Sequence, residues 1–257
     1  MEFLPNLIFI FIIGSVVLLF HKGIDRYPEP LEQSEIPDKE SKQVFLLWLM
    51  GVSIPVTRIF IFTPWLENIF TSRSIRELVQ LPLLTIIYLI LPAILVIRLN
   101  KWKISDLGMK IYVRSKPIAI SAVIFGVVTG TTAYLTNETV IDIEVFSPLV
   151  FTLLLFNNDF LEEFFHRGII QSKLERIIGQ NRAVFVGGIL FGLTHIVFDF
   201  VMLSDKGIFF VISAFILQVM AGWLLGIIYM KTRSLWPGVI CHYLSNWLPA
   251  ILKGIFN

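Results

Sequence analysis

Residues 147–178 read SPLVFTLLLFNNDFLEEFFHRGIIQSKLERII, and how far a helix runs through them decides what kind of bundle this chain can build. The apolar stretch 147–161 is too short to cross a bilayer alone, because a span needs about 20 residues. Glu-Glu-Phe-Phe-His-Arg-Gly follows at 162–168, and then an amphipathic run at 169–178. Either a short helix ends at Glu162, or a long helix carries both carboxylates into the membrane. No proline or glycine interrupts 151–167, so the spacing predicts the long helix. On that helix Glu163 and Arg167 lie four apart and share a face, where they can form an ion pair. Glu162 points about 100° away, free of Arg167, as a candidate general base.

The rest of the chain is built to the same plan. Of its 257 residues 56% are hydrophobic and only 16% charged. A soluble domain of this size carries nearer one quarter charged residues, because its surface must be wet. The apolar residues come in long runs that can satisfy their backbone in lipid only as helices, with none of the alternation of a transmembrane barrel. Spans are expected near 3–21, 43–62, 78–98, 117–135, 148–172, 183–203, 207–230 and 236–256. The fold class is therefore all-α, a polytopic transmembrane helical bundle of about eight helices, and residues 1–257 are read as a single transmembrane domain. The first segment has no basic residue before it and no small-residue cleavage pattern after it, so it is expected to stay as a span.

Charge sets an expected orientation. Sixteen of the Lys and Arg residues fall in the loops after spans one, three, five and seven, and four in the loops on the other side. The segment 136–146 has no basic residue and carries Glu138, Asp142 and Glu144. The positive-inside rule then places both termini outside a cell (plasma) membrane. The segment 22–42, with six acids after residue 24, is expected to be a polar cytoplasmic loop. The single cysteine, Cys241, excludes an internal disulfide and a Cys-rich metal site. A net charge of +2 gives no footing for a nucleic-acid partner.

Ionisable residues within spans cost about 2.5–3.5 kcal/mol each even on the lenient insertion scale, and usually face a protein interior or a wet cavity. Besides the 162–167 group there are two more. Phe191-Gly192-Leu193-Thr194-His195 lies in an apolar run, with Gly187, Gly188 and Gly192 able to admit a neighbouring helix. His242-Tyr243-Leu244-Ser245-Asn246 puts His242 and Asn246 on one helix face, after a turn at 234–238 with Pro237 in the first helical turn. Each group also has a bland reading: a solvated helix end, a hydrogen-bonded structural histidine, an interhelical polar pair. Together they supply what hydrolysis requires. Glu162 and His195 would activate a water, and His242 and Asn246 would hold the oxyanion formed at an amide carbonyl. Glu162, His195 and His242 also make a conceivable three-ligand zinc site, although the HExxH helix of soluble zinc proteases is absent. Residue types alone leave metal-bound and directly activated water both open.

These three motifs resemble those of the CPBP family, also called the Abi or CAAX-protease-like family of intramembrane proteases, which includes the type II CAAX prenyl endopeptidases. The family's marks are EExxxR, FxxxH and HxxxN or HxxxD on consecutive late helices. Here they stand at Glu162–Arg167, Phe191–His195 and His242–Asn246, within EEFFHRGIIQ, ILFGLTH and GWLLGIIYMKTRSLWPGVICHYLSN. The resemblance covers roughly 148–250, the expected catalytic core, and matches the earlier residues only as generic spans. It implies a conical intramembrane cavity, Glu162 and His195 as the water-activating pair, His242 and Asn246 as the oxyanion site, and Glu163 and Arg167 in support. It implies water activation without a resident cofactor, with zinc as the alternative. The substrate it implies is a membrane-associated peptide or prenylated protein held in the lipid bilayer. A scaffold, regulator or bacteriocin self-immunity protein of the same fold is the competing reading. A transporter is a third, but no repeat symmetry or pair of broken helices supports one.

Overall fold

The computed structural model describes residues 4–111, 113–136 and 148–256. The acidic segment with Glu138, Asp142 and Glu144 lies outside them. Eight helical rods run through the described residues, and no strand occurs among them. α1 is Leu4–Leu18, ending in a wide turn at Leu19–Gly23. α2 is Pro37–Thr57, continued through Arg58–Phe62 and Thr63–Glu67. α3 is Arg73–Thr85, continued through Ile86–Ile90 and Leu91–Leu99. α4 is Lys116–Leu135. α5 joins Pro148–Glu163, Phe164–Gln171 and Ser172–Ile178. α6 is Gln180–Leu203, α7 is Ile208–Thr232 and α8 is Trp236–Phe256.

The eight expected spans each meet one rod. Five rods (α2, α3, α4, α6 and α7) are long and apolar enough to cross a membrane. With large side chains such as Phe45, Phe60, Ile94 and Phe209 exposed on their outer faces, the chain is an integral membrane protein, since a soluble surface does not carry such a belt. α5 and α8 fall short of that apolar length for a chemical reason: they carry Asp159, Glu162, Glu163, Arg167, His242 and Asn246.

α5 settles the question posed by its sequence. The helix does not stop at Glu162; it continues through Arg167 to Ile178. It does so as a widened π-type coil over Phe164–Gln171, every residue of which is buried. The Ser172 hydroxyl donates to the Arg167 carbonyl five residues back, at 3.0 Å, in keeping with the wider turn. Single π turns inside α-helices often mark functional sites, because they rotate the side chains that follow.

Two close helix pairs hold the bundle around α5. α6 packs against α7. A Cβ on Gly192 would meet the Val219 backbone nitrogen at 3.1 Å, and one on Gly222 would meet the Gly188 carbonyl at 2.9 Å. The glycines of α6 thus admit α7, while His195, one turn further along the helix, turns its ring to Glu162 of α5. α4 packs against α8, where a Cβ on Gly130 would lie 2.9 Å from the Leu248 side chain. Small residues let backbones approach where lipid offers no hydrophobic drive between helices.

The basic segments gather at one end of the bundle. α2 begins at Pro37, earlier than the expected span, with Pro37 at its start and Asp38 and Glu40 in its first turn, where they complement the helix dipole. The residues before it form a loop tied to the bundle as a strap. Leu31 N–H donates to Glu175 Oε1 at 2.9 Å, Ser34 N–H to the Arg176 carbonyl at 3.0 Å, and Gln180 Nε2 to the Pro28 carbonyl at 2.8 Å. Arg233 clasps Glu175 through both nitrogens, at 2.6 and 2.7 Å. Arg114 N–H donates to the Thr232 carbonyl at 3.0 Å, and Lys173 reaches Asn100 and Gln43 at 3.0 and 2.8 Å. The four segments rich in Lys and Arg are thus joined to one another at that end.

Candidate active site

α5 supplies three acids to the interior. Asp159, Glu162 and Glu163 lie within about one helical turn, so they fan over one face and its edge. Asp159 and Glu163 are sealed, with side chains 1% exposed, whereas Glu162 keeps 22% of its side chain accessible.

Glu163 meets its predicted partner: Arg167 Nε lies 3.3 Å from Glu163 Oε2. Arg167 is itself buried, with its guanidinium carbon 4.4 Å above the centre of the Phe191 ring. None of its three nitrogens makes a well-aligned hydrogen bond among the described residues, so charge pairing and the ring face carry it. The other oxygen of Glu163 receives His242, Nδ1 to Oε1 at 3.1 Å. Glu163 therefore bridges the first motif to the third.

Glu162 is not the unpartnered acid that the helix spacing predicts. Asn158, one turn earlier, donates Nδ2 to Glu162 Oε1 at 3.0 Å. The other oxygen, Oε2, faces His195 Nε2 at 3.7 Å. His195 Nδ1 lies 2.9 Å from the Phe191 carbonyl. A carbonyl oxygen only accepts, so Nδ1 carries a proton and donates, and Nε2 is the nitrogen turned to Glu162. The 3.7 Å separation is too long for a direct hydrogen bond, and a water oxygen could contact both groups from one side.

The third motif completes a second chain of contacts. Asn246 Nδ2 donates to Asp159 Oδ1 at 3.1 Å, and His242 Nε2 stands 3.9 Å from the same oxygen. Asp159 Oδ2 is buried with no hydrogen-bond partner among the described residues. Buried polar atoms are seldom left so. Phe191 lies beneath the assembly, with ring-to-ring distances of 4.5 Å to His195, 5.0 Å to His166 and 6.3 Å to His242. The phenyl ring of the FxxxH motif thus serves as the plate on which both histidines and Arg167 sit.

All six residues named from the sequence come together. They form two linked sets: Asn158, Glu162 and His195 on one side, and Arg167, Glu163, His242, Asp159 and Asn246 on the other. Sequence reasoning missed Asp159, Asn158 and the role of Phe191. A signal for the first was present, since an aspartate in the apolar run 151–161 is as costly as the glutamates after it.

The proposed zinc ligands do not converge. His242 spends Nδ1 on Glu163 and turns Nε2 to Asp159, so it shares no centre with Glu162 and His195. Among the described residues no three His, Cys, Asp or Glu side chains are grouped to hold a metal ion. The donors as arranged do not fit a zinc site.

The chain is thus an all-helical membrane bundle with acids and histidines clustered on three late helices. Residues 144–248 match the family model of the Rce1-like type II CAAX prenyl endopeptidases, so the resemblance carried by the three motifs holds over that segment. No curated protein matches the chain, and no solved structure does.

Proposed function

We propose that this protein is an intramembrane endopeptidase that cleaves a membrane-associated peptide, of prenylated CAAX type, using a water activated by Glu162 and His195. The observation that carries this reading is the Glu162–His195 pair. Its facing atoms stand 3.7 Å apart, and both side chains are about one-fifth accessible while the neighbouring acids are sealed. The accessible pair is the one that a water and a substrate can reach.

Glu162 takes the proton of the water as its oxygen attacks the scissile carbonyl, with His195 Nε2 orienting the same water. His242, carrying protons on both ring nitrogens between Glu163 and Asp159, and Asn246 hold the resulting oxyanion through Nε2–H and Nδ2–H, and preorganised donors of this kind are commonly worth 10²–10³-fold in rate. As the C–N bond breaks, the proton held by Glu162 passes to the leaving amine. Glu163 keeps His242 in its donating orientation, and Arg167 compensates the charge of Glu163.

We also propose that the joined basic end faces the cytoplasm of a cell whose plasma membrane holds the protein, with both termini outside. The sixteen-to-four division of Lys and Arg supports this. Because the single native cysteine is buried, Lys253→Cys should react with an impermeant maleimide on intact cells; protection there would reverse the orientation.

The function is tested on the purified full chain with a farnesylated CAAX peptide and a small peptide library. Wild type is compared with Glu162→Gln, with and without a chelator. Turnover in wild type that is lost in Glu162→Gln is expected. Equal turnover in both would overturn the roles given to these residues. Loss on chelation with recovery on zinc would replace direct activation by a metal route.

A further inference from the structure

Between α2 and α3, away from the paired acids and histidines, the helices leave a cleft of about 310 Å³. Met50, Ile54, Leu84 and Ile87 form its apolar walls, and Arg58 and Gln80 also line it. No candidate active-site residue borders it. Its volume falls within the range of small-ligand sites, which are mainly apolar with a few placed polar groups.

Two observations narrow what it would hold. Gln80 is only 4% exposed, and its Oε1 has no hydrogen-bond partner among the described residues. A buried amide oxygen normally has one, so this oxygen awaits a donor. Arg58, the cation lining the cleft, is already neutralised by its ion pair with Glu77. An occupant bringing its own negative charge would have to compete with Glu77. An uncharged head with one hydroxyl donates to Gln80 without disturbing that pair. The remaining lining is mainly apolar, with Ser53 and Thr57 as its other polar side chains, and the cleft is too small for both chains of a phospholipid.

We propose that the α2–α3 cleft binds a neutral single-chain amphiphile drawn from the bilayer, its hydroxyl donating to Gln80 Oε1 and its tail lying between Ile54, Leu84 and Ile87. This site does not depend on the hydrolytic reading of the other.

The experiment uses the purified full chain in nanodiscs and a long-chain alcohol bearing a photoactivatable diazirine, with the adducts mapped by mass spectrometry. Labelling should concentrate within 50–62 and 80–91. It should fall about tenfold with excess unlabelled alcohol, and far less with the carboxylate of equal length or with a farnesylated peptide. Gln80→Leu should reduce labelling several-fold and Leu84→Trp should abolish it, each with an unchanged helical circular dichroism spectrum. The wild-type competition decides the matter even if Leu84→Trp does not fold. Labelling that excess alcohol does not displace, that the carboxylate or the peptide displaces equally well, or that persists in Gln80→Leu would overturn the proposal.

Discussion

Two buried carboxylate clusters in this bundle have opposite characters. At the basic end Glu175 is sealed and fully satisfied: Arg233 donates to both oxygens at 2.6 and 2.7 Å, and Leu31 N–H donates to Oε1 at 2.9 Å. In the cluster shared by α5, α6 and α8 the bonding is incomplete. Glu162 and His195 face each other at 3.7 Å, His242 stands 3.9 Å from Asp159, and Asp159 Oδ2 and the Arg167 nitrogens lack hydrogen bonds among the described residues. A satisfied buried network rigidifies a fold, whereas an incomplete one is costly and persists where it has another use. The first cluster is a clasp, and the second retains unspent donors and acceptors for a substrate.

The largest effect should come from the incomplete cluster. Glu162→Gln keeps the size and the Asn158 neighbour but removes the base, and peptide turnover should fall about 10³-fold, within the 10²–10⁴ range of general-base removal. The thermal midpoint should hardly move. A variant that loses stability instead of rate would make this cluster a second clasp.

Glu175→Ala should do the reverse. It strands Arg233 beside the strap, and removing one partner of a buried pair costs about 3 kcal/mol. Thermal or denaturant unfolding in mild detergent checks this, and turnover per folded molecule should be unchanged. Equal loss of rate and stability would erase the contrast between the clusters.

A smaller loss is expected where packing alone is challenged. Gly130→Ala would drive a methyl against the Leu244 carbonyl, 2.5 Å from the new Cβ, and against Leu248 of α8, and overpacking of this kind costs about 1–3 kcal/mol. Because α8 carries His242 and Asn246, a parallel drop in turnover would show that the α4–α8 spacing sets the oxyanion donors.

The smallest effect sharpens the site itself. Asp159→Asn retains the shape but changes what Asn246 and His242 face, so kcat should fall about tenfold with KM and the unfolding midpoint nearly unchanged, a barrier change of about 1.4 kcal/mol. An equal change in KM would move Asp159 from positioning the donors to binding substrate.

Much of this was open to reading in the chain. A helical spacing of four pairs Glu163 with Arg167 whatever the fold around them, and that ion pair is present at 3.3 Å. The same reasoning left Glu162 alone, because it looked forward to Arg167 and not one turn back to Asn158. It paired Glu163 with Arg167 alone, while the bundle also gives Glu163 to His242. Zinc ligation is likewise a matter of direction: residue types fit a three-ligand site, but the His242 nitrogens as arranged turn to Glu163 and Asp159.

The sequence by itself determined the spans, the unbroken course of α5 and the three motifs. These depend on hydropathy, helix breakers and the 3.6-residue period, all local quantities. Only the tertiary structure decided which histidine meets which acid, that Asp159 joins the site, and that an open cleft lies between α2 and α3. Those depend on the rotation and axial offset of one helix against another, set by the widened coil at Phe164–Gln171 and by glycine contacts such as Gly192 with Val219. No period within a single helix encodes them.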